Sequence, residues 1–232
     1  MNDYAHRIQG RQVLIENGDS FILDKVPEFD ANRNAEVKEK KMRIVNGELV
    51  GSAAEEYNGE SKIGILRGYA NVSTQNKEDA ITSFLNDDNK NLDISNINLP
   101  DFENREAPVK FSYDFTLANN LIDIGDQYLV QLDFDQEFYY FSFSKDRETA
   151  YELSSKYYLD NTYTLELPKG ASISHLPTNL NIERDGYTFQ ITVSQRGNTV
   201  ILRKKIIIED TVIDLKDMDQ WNEDVAAMRA IY

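Results

Sequence analysis

Tyr187-Thr188-Phe189-Gln190-Ile191-Thr192-Val193-Ser194 is the stretch on which the fold turns. Tyr187, Phe189, Ile191 and Val193 share one face and Thr188, Gln190, Thr192 and Ser194 the other, the period of a strand with one side buried. A Gly197-Asn198 turn returns the chain through Thr199 to Ile208 as the antiparallel partner. On the N-terminal side, Tyr163, Leu165 and Leu167 alternate with Thr162, Thr164 and Glu166 before a turn at Gly170. On the C-terminal side, Val225, Met228 and Tyr232 follow Trp221 at helical spacing, which predicts a short terminal helix packed on a sheet edge or face.

Further upstream the same signals recur. Lys41 to Val45 and Glu48 to Ser52 flank Asn46-Gly47, the pair that best supplies two positive φ angles in a tight hairpin turn. Val109, Phe111, Tyr113, Phe115 and Leu117 alternate with polar residues, and Tyr128 to Phe134 repeats the pattern. Phe138-Tyr139-Tyr140-Phe141-Ser142-Phe143 is aromatic on both faces, which predicts a strand covered on both sides. Gln9 to Ile15 also reads as a strand, entered almost at once, as if continuing from a preceding segment. The period changes only at two places, where short helices are expected near 61–70 and 77–86, the second capped by Asn76. The polar, Asn- and Asp-rich run from Asp87 to Pro100 reads as a loop.

The expected architecture is therefore mainly β: two β-sandwich domains with short helical insertions and a C-terminal helix, the second sandwich small and immunoglobulin-like. The boundary is expected in the polar stretch from Ser144 to Ser155, dividing the chain into 1–152 and 153–232.

Composition narrows the function classes. With 40 acidic against 25 basic residues the net charge is −15, which repels phosphate backbones and excludes nucleic acid as an expected partner. The absence of Cys removes disulfides, thiolate metal sites and a thiol nucleophile. No apolar run has the length of a membrane span, and the first residues lack the apolar core of a secretory signal.

Gln9-Gly10-Arg11, Gly59 with Arg67, Arg147, and Leu167-Pro168-Lys169-Gly170 followed by Leu176-Pro177 occur in an order that resembles one family. They are similar to the region that follows the catalytic domain in bacterial transglutaminase-like multidomain proteins with a papain-like core, a region ending in a domain of unknown function. The resemblance implies a catalytic Cys, His and Asp upstream of this chain. It implies a non-catalytic accessory segment that packs against or presents that domain of the same polypeptide. It also implies export to the periplasm or cell surface in the whole protein.

Candidate sites in the chain itself are sparse, and no catalytic residue and no cofactor is expected. His6 and His175 are the only histidines. His175 sits beside Ser172 and Ser174 but lacks a glycine-flanked nucleophile turn, so it reads as a plain loop residue. Asp87, Asn89, Asn91 and Asp93 place oxygen ligands at alternate positions as a calcium loop does, yet Leu92 stands where glycine is needed and Asn98 where a bidentate Glu is needed. Asp133, Asp135 and Glu137 bracket Phe134 as further carboxylates, read as a charged strand end. Tyr139, Tyr140, Tyr157 and Tyr158 offer flat rings for sugar stacking, against which core packing is preferred. The alternative to the accessory role is thus a carbohydrate- or envelope-binding module, with a glycan or a protein as partner.

Overall fold

The structure is a computed structural model that describes residues 8–125 and 127–231. The strand expected near residue 9 is β1 (Gln12–Asn17), and the chain turns at Gly18 into β2 (Ser20–Lys25) to form a two-stranded hairpin. A 3-10 turn over Ala31–Asn34 leads to β3 (Ala35–Val45), β4 (Glu48–Tyr57), α1 (Gly59–Ala70), α2 (Lys77–Asn86), β5 (Leu92–Asn98) and β6 (Val109–Leu117). The short strands β7 (Leu121–Asp123), β8 (Tyr128–Val130) and β9 (Tyr151–Glu152) flank an irregular stretch. Then come β10 (Tyr157–Glu166), β11 (Leu180–Arg184), β12 (Tyr187–Arg196), β13 (Thr199–Ile208), β14 (Val212–Ile213) and α3 (Met218–Arg229).

Eight of these strands form one sheet in the order β11-β12-β13-β10-β3-β4-β6-β5. Residues 1–152 and 153–232 each supply a four-stranded antiparallel run, and the runs meet edge to edge through the parallel pair β3–β10. The sheet is continuous across the expected boundary. Asn46 and Gly47 turn the β3–β4 hairpin with φ of 53° and 83°, the conformation that pair favours. The mainly β reading holds, with the two short helices and the C-terminal helix in place.

One face of the sheet is buried. Phe111, Tyr113, Phe115, Leu159, Tyr163, Leu165, Phe189, Ile191, Leu202 and Ile206 point into it. The layer packed on it consists of α1, α2, the 131–150 segment, the β9–β14 ladder and α3. The opposite face carries Glu39, Lys41, Asp114, Arg203 and Thr164, all exposed or half-buried. No helix among the described residues is long and apolar enough to cross a membrane.

Two expectations are corrected. Phe138 to Phe143 is no strand but a turn and irregular segment, and of Tyr128 to Phe134 only Tyr128–Val130 pairs. The reason is Trp221: its fully buried ring on α3 is surrounded by Phe138, Phe141, Phe143, Tyr187 and Phe189, with centroids 5.0–6.2 Å away. Packing around that ring satisfies the aromatics without a sheet partner, and Trp221 Nε1 donates to the Phe141 carbonyl at 3.2 Å. Second, part of the Asp87–Pro100 run is the edge strand β5, whose Leu92 and Ile94 pair with Leu117 and Phe115 before a bulge between Ser95 and Asn98.

Candidate functional site

Where the two halves of the sheet meet, its buried face is ionic. Strand register sets Lys204, Asn161, Lys38 and Glu55 in one row across β13, β10, β3 and β4. Tyr163, Lys40, Ala53 and Tyr113 form the next row. Over these rows lies the segment carrying Asp133, Asp135 and Glu137. The structure therefore brings together three carboxylates the sequence placed at a strand end and three lysines it left unremarked.

The pairing is dense. Lys40 Nζ contacts both Asp135 oxygens at 2.9 Å and lies 3.9 Å from Glu55 Oε1, with its ammonium 4.3 Å from the Phe134 ring centroid. Lys204 is fully buried, 2.6 Å from Asp133 Oδ2 and also paired with Glu137. Lys38 reaches Asp135 at 3.8 Å and Glu137 at 3.7 Å. The Tyr163 hydroxyl donates to Asp135 at 2.5 Å, Tyr57 and Tyr113 donate to Glu55 at 2.5 and 2.6 Å, and Asn161 Nδ2 donates to Glu137 at 3.1 Å.

These contacts set the charge states. Burial pushes the Asp135 carboxyl up, but Lys38, Lys40 and the Tyr163 hydroxyl outweigh it and hold it well below the usual range. Glu137 is likewise lowered, burial being overcome by Lys204 and Lys38. Asp133 goes the other way, because burial prevails even beside Lys204. Lys38 is held charged because Asp135 and Glu137 outweigh its desolvation. Burial and the Glu55 carboxylate push the Tyr57 and Tyr113 phenols far up, so both act as donors.

The cluster forms the floor of a cleft of about 810 Å³ between the sheet and the helix pair. Glu36, Lys38, Glu55, Asp135 and Glu137 line its base, and Tyr57 and Tyr157 flank it. Ser61, Gly64, Ile65 and Gly68 of α1 and Ile81, Phe84 and Leu85 of α2 form its walls. Glu36 accepts a hydrogen bond from Ser61, and burial raises its carboxyl. A second cleft, about 610 Å³, surrounds the start of α1 with Arg33, Lys62, Arg67, Arg105 and Lys156.

The remaining candidates are dispersed. His6 lies outside the described residues, and His175, Ser172 and Ser174 are exposed in a loop. Asp87 ends α2 in the left-handed region (φ 48°). Asn89 Oδ1 accepts from its neighbour's backbone at Asn91, and Asn91 Oδ1 from Asn119, while Asp93 is exposed on β5. Among the described residues no group of three or more His, Cys, Asp or Glu is placed to hold a metal ion. Tyr140 is 89% exposed and edge-on to Tyr139, Tyr157 lines the cleft, and Tyr158 lies under Lys205.

Residues 125–230 match the model of a family described as "Domain of Unknown Function with solved-structure structure (DUF3858)". The matched stretch runs from the turn before β8 to the end of α3, and so includes Asp133, Asp135, Glu137 and Lys204, whereas Lys38, Lys40 and Glu55 lie outside it. No curated protein and no solved structure matches the chain.

Proposed function

We propose that this chain is a non-catalytic accessory segment that docks on a catalytic domain of the same polypeptide, an exported transglutaminase- or protease-like protein in keeping with the sequence resemblance. The observation that carries this reading is the β1–β2 hairpin. It is exposed almost along its length, with Leu14, Phe21 and Leu23 about two-thirds accessible and Ile15 and Ile22 nearly half. Register puts Leu14, Leu23 and Phe21 on one face and Ile15 and Ile22 on the other. A two-stranded ladder is marginal in water by itself, and a contiguous apolar projection marks an interaction surface. The buried ionic centre, by contrast, consists of groups already paired with one another, which suits a structural keystone.

Hydrogen exchange tests the reading by comparing the isolated chain with a polypeptide that also carries the catalytic domain. Protection of the 12–25 amides is expected only in the longer polypeptide, and the double change Leu14→Ser, Leu23→Ser should abolish it while leaving the large sheet protected. Equal protection in both, or a longer polypeptide unaffected in stability by the double change, counts against docking. The exposed ring of Tyr140 favours a second reading, a carbohydrate-binding module of the cell envelope. Fluorescence titration with neutral and acidic glycans addresses it, and a lack of saturable response in the wild type, or one unchanged in Tyr140→Ala, removes it.

A further inference from the structure

The cleft beneath α1 and α2 combines an acidic base with apolar walls, the arrangement by which ligand sites fix one polar group and bury the rest. Its acids are not equivalent. Asp135, Glu137 and Glu55 each face at least one lysine. Glu36 lies on the same cleft, half-buried, accepts from the neutral Ser61 hydroxyl and takes part in no ion pair among the described residues, the charge of Lys38 reaching it only at longer range. A partly buried carboxylate with no cation in direct contact is incompletely compensated, so a cation arriving there adds to what Lys38 supplies from a distance. Opposite it, α1 presents Gly64, where a Cβ would meet no atom within 4 Å, so the helix face leaves room for an entering chain.

We propose that this cleft binds a primary ammonium or guanidinium group carried on an apolar stem, the cation meeting Glu36 and the stem lying along Ile65, Ile81 and Phe84. Glu36 supplies the charge recognition, and the helix walls supply the apolar contact. A phosphate or carboxylate ligand is disfavoured by the excess of acids at the base. The shared chemistry comes either from a free amine or from a lysine side chain presented by a polypeptide.

Ligand-observed NMR titration of the full chain tests this with n-hexylamine, agmatine, the uncharged 1-hexanol and the peptide acetyl-Gly-Lys-Gly-amide. Saturable millimolar binding of hexylamine and agmatine is expected, with hexanol weaker by about tenfold or more. Glu36→Gln keeps the Ser61 hydrogen bond and should cost amine binding about tenfold while leaving hexanol unchanged. Gly64→Leu fills the cleft from a helix position that accepts a side chain, and should abolish binding of both with the circular dichroism spectrum intact. Binding of the peptide alongside the amines supports a presented lysine as the source, and binding of the amines alone supports a free amine. The proposal is overturned if no amine saturates, if hexanol binds as well as hexylamine, or if Glu36→Gln leaves amine affinity unchanged.

Discussion

Lys204 has no solvent exposure, and its ammonium is held between Asp133 and Glu137. Such a group is tolerated only because its partners descend on it from the 131–150 segment. Removing one member of a buried pair leaves the other charge stranded, which costs about 3–5 kcal/mol. Lys204→Met should therefore lower the unfolding free energy by about that amount. Lys216→Met, at a lysine whose side chain is 77% exposed, should stay within about 0.5 kcal/mol of wild type. Urea denaturation of the two variants checks the contrast, and equal, small losses would show that Asp133 and Glu137 are solvated without Lys204. The sequence gives little warning of this centre. Asp133, Asp135 and Glu137 stand out by alternation, but their partners Lys38 and Lys40 occupy the inward positions of β3, where a lysine reads as a solvent-facing residue. Only the parallel pairing of β3 with β10, a contact between residues more than a hundred positions apart, places those lysines inside.

At the scale of elements, the local signals that proved legible are those with a short-range cause. Asn46-Gly47 and the alternation of β6, β12 and β13 each act within a few residues, whereas Asn76 stands at the start of α2 without making a side-chain capping bond. The aromatic run from Phe138 to Phe143 misled because its partner, Trp221, lies some eighty residues away. Helix α1 holds an internal test of how backbone and packing compete. Gly59 starts it at φ +53°, where an added Cβ would fall 2.1 Å from Asn34 Oδ1 and 2.6 Å from the Arg33 carbonyl. Asn34 accepts from the Glu60 amide and donates to the Lys156 carbonyl, so the crowded point joins α1 to the entry of β10. Gly64 and Gly68 sit in the same helix with open space around the missing Cβ. Gly59→Ala should destabilise by more than about 1 kcal/mol, whereas Gly64→Ala and Gly68→Ala should each stabilise by about 0.5–1 kcal/mol by restricting the unfolded chain. Thermal melts of the three single variants decide it. Losses at all three positions would mean that α1 is not helical through its middle.

For the molecule as a whole, the buried acids and the net charge of −15 act together on pH dependence. Glu36 and Asp133 have carboxyls raised by burial, so the folded chain takes up their protons at a higher pH than the unfolded chain does. Their stabilising contribution is complete below the unfolded carboxylate range, near pH 4, and is lost as pH rises through their folded values. Asp135 and Glu137 are lowered by the lysines that outweigh their burial, so the sign reverses: their contribution is present above that range and is lost as pH falls through it. Self-repulsion among the surplus surface acids adds to the loss on the alkaline side. Stability should therefore peak above the ordinary carboxylate range of about pH 4 but on the acid side of neutrality. Glu36→Gln should flatten the decline toward neutral pH, and Asp135→Asn should lower the whole curve while removing part of the acid limb. Urea midpoints measured from pH 3 to 9 read the curve directly. A midpoint that climbs steadily from about pH 5 to 8 would mean that Glu36 and Asp133 ionise freely in the folded chain, and the ionic centre would then have to be open to water.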